Sequence, residues 1–492
     1  MIGFCAISHL PNFYFLTSSF YFSISPIFAP QIFKENTTME AFDNYLNTLM
    51  NRNRTQYEKF GKVKWLNPYL AEEMEAQRSV LESATGPKLQ WGFNRTKPWI
   101  NQISKGCQLC GKGEWSCLFI TGVCNANCFY CPTSQTEDHL PTTQQISFEY
   151  PADYAAYINR FGFKGASFSG GEPFLAFEKV KAFLTELRKS CTPDLYIWMY
   201  TNGLLATREK FETLRDLGLN EVRFDIGATR FSLDFVKLAK GIIPTVTIEI
   251  PAVPGELDKL KQLLPEMVEA GVTNLNLHQM RLTPHNAPKL LKYNYTYLSL
   301  EHPVVWESEL VAFELMKEVK EQNLPLGVNY CAFQFKNRHQ KAGFRNRIIQ
   351  ELHPQTGQIT ENGFIRHLFF ATEPIWNHLK NNPQEWPIER MDKELLALSI
   401  EELAQFKDTL GGFIFWYQGM EVKDGSPGSG LQIGHKTYEV ETAPATPPLF
   451  VSIDQLAELN ELFRQKGSTP PVDEVLFQIW QKEFIEVGFR RL

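Results

Sequence analysis

Between residues 115 and 280 the sequence alternates short strand-like runs with segments of helical periodicity. The runs are rich in β-branched and aromatic residues and end in Gly, Pro or polar residues, as strands do. This alternation predicts a parallel α/β sheet with right-handed crossovers, either doubly wound or barrel-like. In both folds the functional residues lie where the carboxyl ends of the strands meet the loops. The predicted strands are 115–121, 165–170, 195–201, 221–227, 245–251 and 273–280.

The nine cysteines are bunched, since six of them lie between residues 107 and 131 of the 492. This pattern favours metal ligation over a disulfide scaffold, and therefore a reducing, cytoplasmic compartment. Cys124, Cys128 and Cys131 directly follow the first predicted strand. Three thiolates on one loop can bind three irons of a cubane cluster and leave the fourth iron open to a substrate chelate. A partial zinc site and three unligated thiols are the alternatives.

The Cys-x3-Cys-x-aromatic-Cys loop resembles the signature of the radical S-adenosylmethionine (radical SAM) superfamily, which has a partial (β/α)6 barrel. Segments that resemble other family motifs follow in the family's order: SGGEP (169–173), YTNG (200–203), RFDIG (223–227) and IEIPAVPG (248–255). The resemblance implies that these motifs and the aromatic residue of the loop contact S-adenosylmethionine. The cofactor-binding residues so implied are Tyr130, Gly170, Gly171, Glu172, Pro173, Thr201, Asn202, Asp225 and Glu249.

Each of these motifs also has a plainer interpretation. The glycines of the GGEP segment permit close backbone approach, and its carboxylate can accept hydrogen bonds from an ammonium group. The same segment could equally be a tight turn, and Asp225 and Glu249 could cap helices. The order of the motifs behind the cysteine loop favours the family interpretation.

The resemblance implies that Cys124, Cys128 and Cys131 hold a [4Fe-4S] cluster whose open iron chelates S-adenosylmethionine. Reductive cleavage then yields methionine and a 5'-deoxyadenosyl radical that abstracts hydrogen from a substrate. A low-potential flavodoxin- or ferredoxin-like protein would supply the electron. The motifs are also similar to a group related to pyruvate formate-lyase activating enzyme, a resemblance that concerns the barrel and not a shared substrate. The substrate is unidentified, and family analogy places a protein or peptide slightly ahead of a small molecule. The alternative function is a non-catalytic iron-sulfur or zinc-binding protein that retains the barrel.

A second group of cysteines precedes the loop. Cys107 and Cys110 form a Cys-x2-Cys knuckle, a good local metal chelate. Cys117 and Cys331 are the candidate further ligands, although Cys117 lies within the first predicted strand. We therefore predict a second metal site for iron, zinc or an auxiliary cluster, with reduced structural thiols as the alternative.

The chain divides into four predicted segments. Residues 1–38 are a doubtful extension ahead of Met39, and 39–105 form an N-terminal helical segment. Residues 106–347 are the barrel with its upstream cysteine motif, and 348–492 are an α+β accessory region. The prolines in the apolar start argue against a signal peptide or a spanning helix. The net charge of −6 gives no general attraction to nucleic acid or lipid, so neither is expected as a partner.

A basic stretch near the end of the barrel is a candidate for substrate selection. It could bind a carboxylate or phosphate, or it could be a solvated helix face. Its basic residues are Lys336, Arg338, His339, Lys341, Arg345 and Arg347. His278 ends the sixth predicted strand, where a lone histidine is more often a hydrogen-bonding residue than a catalyst.

Overall fold

The computed structural model describes residues 40–67, 71–352, 358–382, 395–406, 411–428 and 430–485. The predicted extension 1–38 and Met39 lie outside these residues. None of the helices in the described ranges is both long and apolar enough to cross a membrane.

Seven parallel strands form the centre of the molecule. They are β3 (Trp115–Thr121), β6 (Gly165–Gly170), β7 (Tyr196–Thr201), β8 (Glu221–Phe224), β9 (Thr245–Pro251), β10 (Asn274–His278) and β13 (Gly327–Cys331). They are neighbours in that order, and each pair is parallel. The predicted parallel α/β barrel is therefore confirmed, and β13 adds a seventh parallel strand to the six predicted ones.

Two hairpins border this sheet. On one side β1 (Leu89–Gly92) and β2 (Lys97–Ile100) follow β13, and on the other β4 (Thr142–Thr143) and β5 (Ile146–Ser147) follow β3. Because the strand order has two ends, the barrel is open. The first hairpin lies within residues 39–105, which were predicted to be helical. Its turn residues have positive φ angles, which no helical periodicity signals.

Helices cover the outside of the barrel because each carries an apolar stripe. In the helix Phe177–Ser190, Val180, Phe183, Leu184 and Leu187 are buried at the spacing of one helix face. Burial of one such side chain stabilises the fold by about 1.5–3 kcal/mol. The helices that connect the strands are α4 (Pro151–Arg160), α5 (Phe177–Ser190), α6 (Arg208–Asp216), α7 (Asp234–Lys237), α8 (Leu257–Glu269) and α10 (Glu307–Glu321).

The inside of the barrel is polar, and β8 shows why. Val222 and Phe224 belong to the apolar core outside the sheet, whereas Glu221 and Arg223 alternate with them and are also buried. Successive side chains of a strand point to opposite faces, so the two charged residues share the inner face. Charges buried in this way must be paired, and this pairing organises the site.

The N-terminal segment contains α1 (Glu40–Tyr57), α2 (Ala71–Thr85) and α3 (Lys105–Gly111) besides the hairpin. Helix α3 begins at the predicted start of the barrel region, and Ser104 caps it by accepting a hydrogen bond from the Cys107 backbone nitrogen. Helix α1 instead packs on the C-terminal region, where Ala41 and Phe42 join its apolar core.

The C-terminal region is built on a second, antiparallel sheet. Its strands are β14 (Gln358–Ile359), β15 (Ile365–Ala371), β16 (Leu396–Ala397), β17 (Gly412–Asp424), β18 (Leu431–Ile433), β19 (Lys436–Pro444) and β20 (Leu449–Ser452). Its helices are α13 (Glu373–Asn381), α14 (Leu456–Arg464) and α15 (Glu474–Glu483). The predicted boundary after residue 347 falls inside α12 (Lys341–Leu352), so one continuous helix joins the two regions.

Candidate active site

A cavity of about 530 Å³ opens at the carboxyl ends of the barrel strands. The cysteine loop after β3 forms one side of it, and residues that follow β9, β10 and β13 form the other. The predicted site residues that line it are Cys124, Cys128, Cys131, Tyr130, Gly170, Gly171, Glu172, Thr201, Asn202, Asp225 and Glu249. The structure therefore brings together residues that are up to 125 positions apart in the sequence.

Pro173 is the exception among the predicted cofactor-binding residues. It does not line the cavity but begins the turn Pro173–Ala176, in which it is buried. A proline is favoured there because its φ angle suits the first position of such a turn and because its nitrogen needs no acceptor.

The cysteine loop is held against the GGEP turn by backbone hydrogen bonds. The Gly171 nitrogen donates to the Thr121 carbonyl at 2.8 Å, and the Glu172 nitrogen donates to the Val123 carbonyl at 2.8 Å. A Cβ atom on Gly171 would lie 1.9 Å from that Val123 carbonyl oxygen. The glycine is therefore required by the close approach of the loop itself, because any side chain would push the loop away.

The three loop thiols are free and influence one another. Burial raises the pKa of Cys128 to about 12, and Asp225, Cys131 and Cys124 add to the increase. Burial also raises the pKa of Cys124. As the side chains stand in the described part of the chain, no three His, Cys, Asp or Glu residues enclose a single metal ion. The three thiols thus line one side of the cavity. Sulfur is a soft ligand, so this donor set fits an iron-sulfur cluster, whose positive charge would stabilise the thiolates.

Asp225 and Tyr130 form a pair beside the thiols. The Tyr130 hydroxyl donates to Asp225 Oδ1 at 2.7 Å, and the Gly227 nitrogen donates to the same oxygen at 3.0 Å. Asp225 thus caps the turn after β8, as the plainer interpretation predicted, and lines the cavity as well. Burial raises the pKa of its carboxyl to about 6. A Cβ atom on Gly227 would lie 2.1 Å from the Tyr130 hydroxyl oxygen, so a glycine is required here too.

Glu172 ties the GGEP turn to the end of β7. One carboxylate oxygen accepts from the Thr201 hydroxyl at 2.8 Å and the Phe174 nitrogen at 3.0 Å, and the other accepts from the Asn202 nitrogen at 2.7 Å. The residue is only 1% exposed, and burial raises the pKa of its carboxyl. The Asn202 amide in turn donates to Asn125 Oδ1 at 2.7 Å in the cysteine loop. The carboxylate therefore fixes the turn that presents Thr201 and Asn202.

Glu249 does not cap a helix, since it lies within β9. Its carboxylate pairs with Arg223 at 2.6 Å and contacts His278 Nε2 at 2.5 Å. Burial alone would raise the pKa of Glu249, but Arg223 and His278 hold it well below its usual range. The same carboxylate accepts from the Asn276 amide at 3.0 Å. Glu249 is thus an ionised, fully bonded group at the back of the cavity.

Comparison with known proteins finds a family match for part of the chain. Residues 118–231 match the model of the radical SAM superfamily. The match spans less than a quarter of the 492 residues. The matched segment begins in the strand before the cysteine loop and includes the GGEP, YTNG and Asp225 segments.

Curated relatives match different shares of the chain. A putative glycyl-radical enzyme activating enzyme of Methanocaldococcus jannaschii is 26% identical over 284 residues, which is 54% of this chain and 73% of the relative. A probable GTP 3',8-cyclase of Methanosarcina mazei is 30% identical over 169 residues, which is 34% of this chain. The chain spans only 45% of that cyclase.

Solved structures match this chain over about half of its length. Streptococcus suis SuiB bound to S-adenosylmethionine covers 50% of the chain and matches over 53% of its own, with 11% identity and a TM-score of 0.34. HydG, a maturase of the [FeFe]-hydrogenase, covers 58% of the chain and matches over 76% of its own, with 10% identity and a TM-score of 0.34.

The second cysteine group lies inside the barrel and not at the cavity. Lys97, which is 1% exposed, donates to Cys331 Sγ at 2.8 Å and to Asn329 Oδ1 at 2.8 Å. Cys107 Sγ accepts from the Asn276 amide at 3.2 Å, and Cys110 Sγ accepts from the Gln340 amide at 3.1 Å. Burial raises the pKa of both Cys107 and Cys110. We call Cys107, Cys110 and Cys331 the buried cysteine set.

Cys117 is not part of this set. It lies on β3 opposite Ser167 of β6, and its thiol is hydrogen-bonded to Ser167 and Ser169. Burial raises its pKa to about 11. The predicted set of four is therefore corrected to three, because Cys117 bonds to Ser167 and Ser169, whereas the charges of Cys107 and Cys331 raise the pKa of Cys110.

Of the basic stretch after β13, Lys336 alone lines the described cavity. Arg338 pairs with Glu301, and Arg347 donates to the carbonyls of Gly113, Phe161 and Gly162. These arginines hold segments of the fold together. His278 bridges Glu249 and Lys336 through its two ring nitrogens, which makes it the hydrogen-bonding residue that its strand-end position suggested.

Sequence reasoning did not find Lys97, Arg223 or Arg281. The alternation of Glu221 and Arg223 in β8 was a usable signal, since two opposite charges two residues apart share one face of a strand. Lys97 gave no local signal, because its partners Asn329 and Cys331 are 232 and 234 residues away.

Proposed function

We propose that the chain is a radical SAM enzyme in which Cys124, Cys128 and Cys131 hold a [4Fe-4S] cluster, with S-adenosylmethionine in the same cavity. When bound, the two cofactors supply one-electron reduction and a carbon radical that abstracts hydrogen from a substrate. The observation that carries the proposal is the shared cavity: three free thiols on one loop face the GGEP turn, the end of β7 and Asp225. The bunched thiols need a reducing compartment, so we place the enzyme in the cytoplasm.

Some polar side chains of the cavity can bind the cofactor, and others hold those side chains in position. Asp225 is ionised above its pKa of about 6 and can accept hydrogen bonds from hydroxyl groups, while Tyr130 keeps its carboxylate in place. Thr201 and Asn202 present oxygen and nitrogen atoms at the carboxyl end of β7. Glu172 acts as a positioning residue, because both of its carboxylate oxygens are already bonded to the chain.

We further propose a protein or peptide substrate and a low-potential, flavodoxin- or ferredoxin-like electron donor. A relative named as a putative glycyl-radical enzyme activating enzyme, which the chain matches over 54% of its length, supports a protein substrate. A low-potential donor is expected because the reduction of a sulfonium is demanding. The net charge of −6 argues against nucleic acid as the substrate.

The test is an anaerobic assay of cofactor cleavage. The protein is reconstituted with iron and sulfide, reduced with dithionite, and assayed for 5'-deoxyadenosine and methionine by mass spectrometry. We expect both products from the wild type and only background from Cys128→Ala, because a cluster ligand is lost. Cys191→Ala is the control, since this thiol lies at the end of α5 and its sulfur donates to the Ala155 carbonyl at 3.7 Å.

Two results would contradict the proposal. Unchanged product formation by Cys128→Ala would show that the loop does not hold the reactive cluster. A wild-type protein that binds iron or zinc yet forms no 5'-deoxyadenosine would instead favour a non-catalytic metal protein that has kept the barrel.

We also propose that the buried cysteine set binds a second metal ion, either iron or zinc. All three sulfurs receive hydrogen bonds from nitrogen donors. Lys97 and Arg223 lower the pKa of Cys107 and Cys110, but burial outweighs them, so a bound cation would be needed to hold these sulfurs as thiolates. Ion binding requires the thiols to rotate toward one another, since they do not enclose an ion as they stand.

Metal analysis of purified variants tests this second site. We expect Cys107→Ala and Cys110→Ala to lose about one equivalent of metal per chain relative to the wild type. Cys117→Ala is the matched control, because it removes a buried thiol from the same barrel that is bonded to Ser167 and Ser169 instead. Equal metal content in all four proteins would refute the second site and leave the cysteine loop unaffected.

A further inference from the structure

The two sides of the active-site cavity differ in charge. The side next to the cysteine loop carries the carboxyls of Glu172 and Asp225. The facing side carries three cations, Arg223, Arg281 and Lys336, and one carboxylate, Glu249. Arg223 is paired with Glu221 and Glu249. The oxygens of Glu249 are bonded to Arg223, His278 and Asn276, and its charge favours the ammonium form of Lys336 without a direct ion pair.

Arg281 has no counter-ion in the part of the chain that the structure describes. It follows β10 and is held by a bridge to Val304. Its Nε atom is buried without a hydrogen-bond acceptor, and its guanidinium lies 5.3 Å from the ring centre of Phe333. The ionisable group that favours its charge is the Tyr57 hydroxyl, which is neutral near pH 7. A guanidinium in this state lacks an anionic partner.

Lys336, in the segment that follows β13, contacts the same Phe333 ring. Its Nζ atom lies 5.1 Å from the Phe333 ring centre and 2.6 Å from His278 Nδ1. His278 turns its other nitrogen to Glu249, so the ring is a neutral imidazole that accepts from Lys336. Burial lowers the pKa of Lys336, whereas the charges of Cys331 and Glu249 raise it. Among the described residues no carboxylate forms an ion pair with its ammonium group.

Arg281 and Lys336 both lie at the Phe333 ring and line the same cavity. Their burial there is unfavourable unless an anion binds in that cavity. We propose that Arg281 and Lys336 bind an anionic group of the substrate, a carboxylate or a phosphate. The planar fork of Arg281 suits two oxygens of such a group, and Lys336 adds a point charge. The inference rests on the proposed function, since it places the substrate opposite the cofactor side of the cavity.

Calorimetric titration of the reconstituted full-length protein with S-adenosylmethionine present tests the proposal. Glutarate is the carboxylate probe, and inorganic phosphate is the phosphate probe. We expect at least one probe to bind, with the stronger one identifying the source of the anion. Arg281→Gln and Lys336→Gln should each weaken that binding at least tenfold. Arg208→Gln, which removes an exposed arginine paired with Glu212 on α6, should not change it.

Charge-retaining variants separate charge from packing. Arg281→Lys and Lys336→Arg should recover part of the lost affinity, while iron content and melting temperature show that each variant is folded. The proposal is overturned if neither probe binds the wild type, if binding survives in the double Gln variant, or if the charge-retaining variants bind no better than the neutral ones.

The outcome is distinct from that of the proposed function. Formation of 5'-deoxyadenosine without anion binding overturns the anion site alone. Anion binding that depends on both cations, in a protein that forms no 5'-deoxyadenosine, overturns the proposed reaction and leaves the anion site standing.

Discussion

The cysteine loop and the buried cysteine set place the same thiol group in opposite surroundings. The loop thiols line an open cavity, and the Cys131 thiol donates to the Thr133 carbonyl at 3.2 Å. In the buried set the sulfurs accept hydrogen bonds from nitrogen donors, and Cys107 is 4% exposed. Sequence spacing alone would rank both as metal motifs. The surroundings show that the loop is accessible to a large ligand and that the buried set is closed to one.

A layer of paired charges separates the two regions. Arg223 donates to Glu221 at 2.9 Å, to Glu249 at 2.6 Å and to the Ser104 hydroxyl at 3.1 Å. Ser104 caps the helix that carries Cys107, while Glu249 lines the cavity. The Asn276 amide bonds both to Glu249 and to Cys107 Sγ. The two cysteine regions are therefore neighbours joined through one polar network.

The largest predicted effect comes from breaking this layer. Arg223→Met leaves Glu221 and Glu249 as buried, unpaired carboxylates, which should lower the free energy of unfolding by about 3–5 kcal/mol. Urea unfolding of the metal-free protein measures the change. Arg208→Met is the control, because the pair of Arg208 with Glu212 is exposed and such pairs contribute about 0–1 kcal/mol. Equal losses in both variants would show that the layer does not organise the barrel interior.

The next effect concerns access to the thiols. In the metal-free protein we expect iodoacetamide to modify Cys131 at least about 100-fold faster than Cys107, as measured by mass spectrometry of peptides over time. Burial excludes the reagent from Cys107 and raises its pKa, and each unit of pKa lowers the thiolate fraction about tenfold. Similar rates for the two residues would mean that the buried set opens as readily as the loop, which would break the comparison.

Much of the barrel could be predicted because its signals are local. Each predicted strand is a short apolar run before a turn, and all six appear in the sheet. The loop cysteines and the GGEP turn could be found for the same reason, since their function depends on spacing within a few residues. Gly171 belongs to this class, because the approach of the neighbouring loop leaves no room for a side chain.

The remainder depends on contacts between distant segments. The hairpin β1–β2 joins the sheet through β13, more than 200 residues later, and carries Lys97 to the buried cysteine set. Cys117 and Cys107 are ten residues apart, yet Cys117 bonds to Ser167 and Ser169 whereas Cys107 bonds to Asn276. No local pattern distinguishes them. The packing of distant segments decides which thiols and cations come into contact.

The smallest predicted effect tests the segment that contacts both the buried set and the cavity. His339 lies between Lys336 and Gln340, is 7% exposed and packs 5.6 Å from the ring centre of Phe93. Burial, with a contribution from Arg338, lowers its pKa to about 4, whereas an unfolded histidine titrates near about 6.5. Below pH ~6.5 the unfolded chain binds the proton and the folded chain does not, so stability falls as the pH drops toward about 4.

Between pH 7 and pH 5 the wild type should therefore lose about 2 kcal/mol more than His339→Leu does, as measured by urea unfolding at both pH values. The control His378→Leu removes an exposed imidazole from α13 and should keep the wild-type pH dependence. If His339→Leu keeps that pH dependence as well, the imidazole is accessible to protons in the folded state, and the segment Lys336–Gln340 is more loosely packed than the structure indicates.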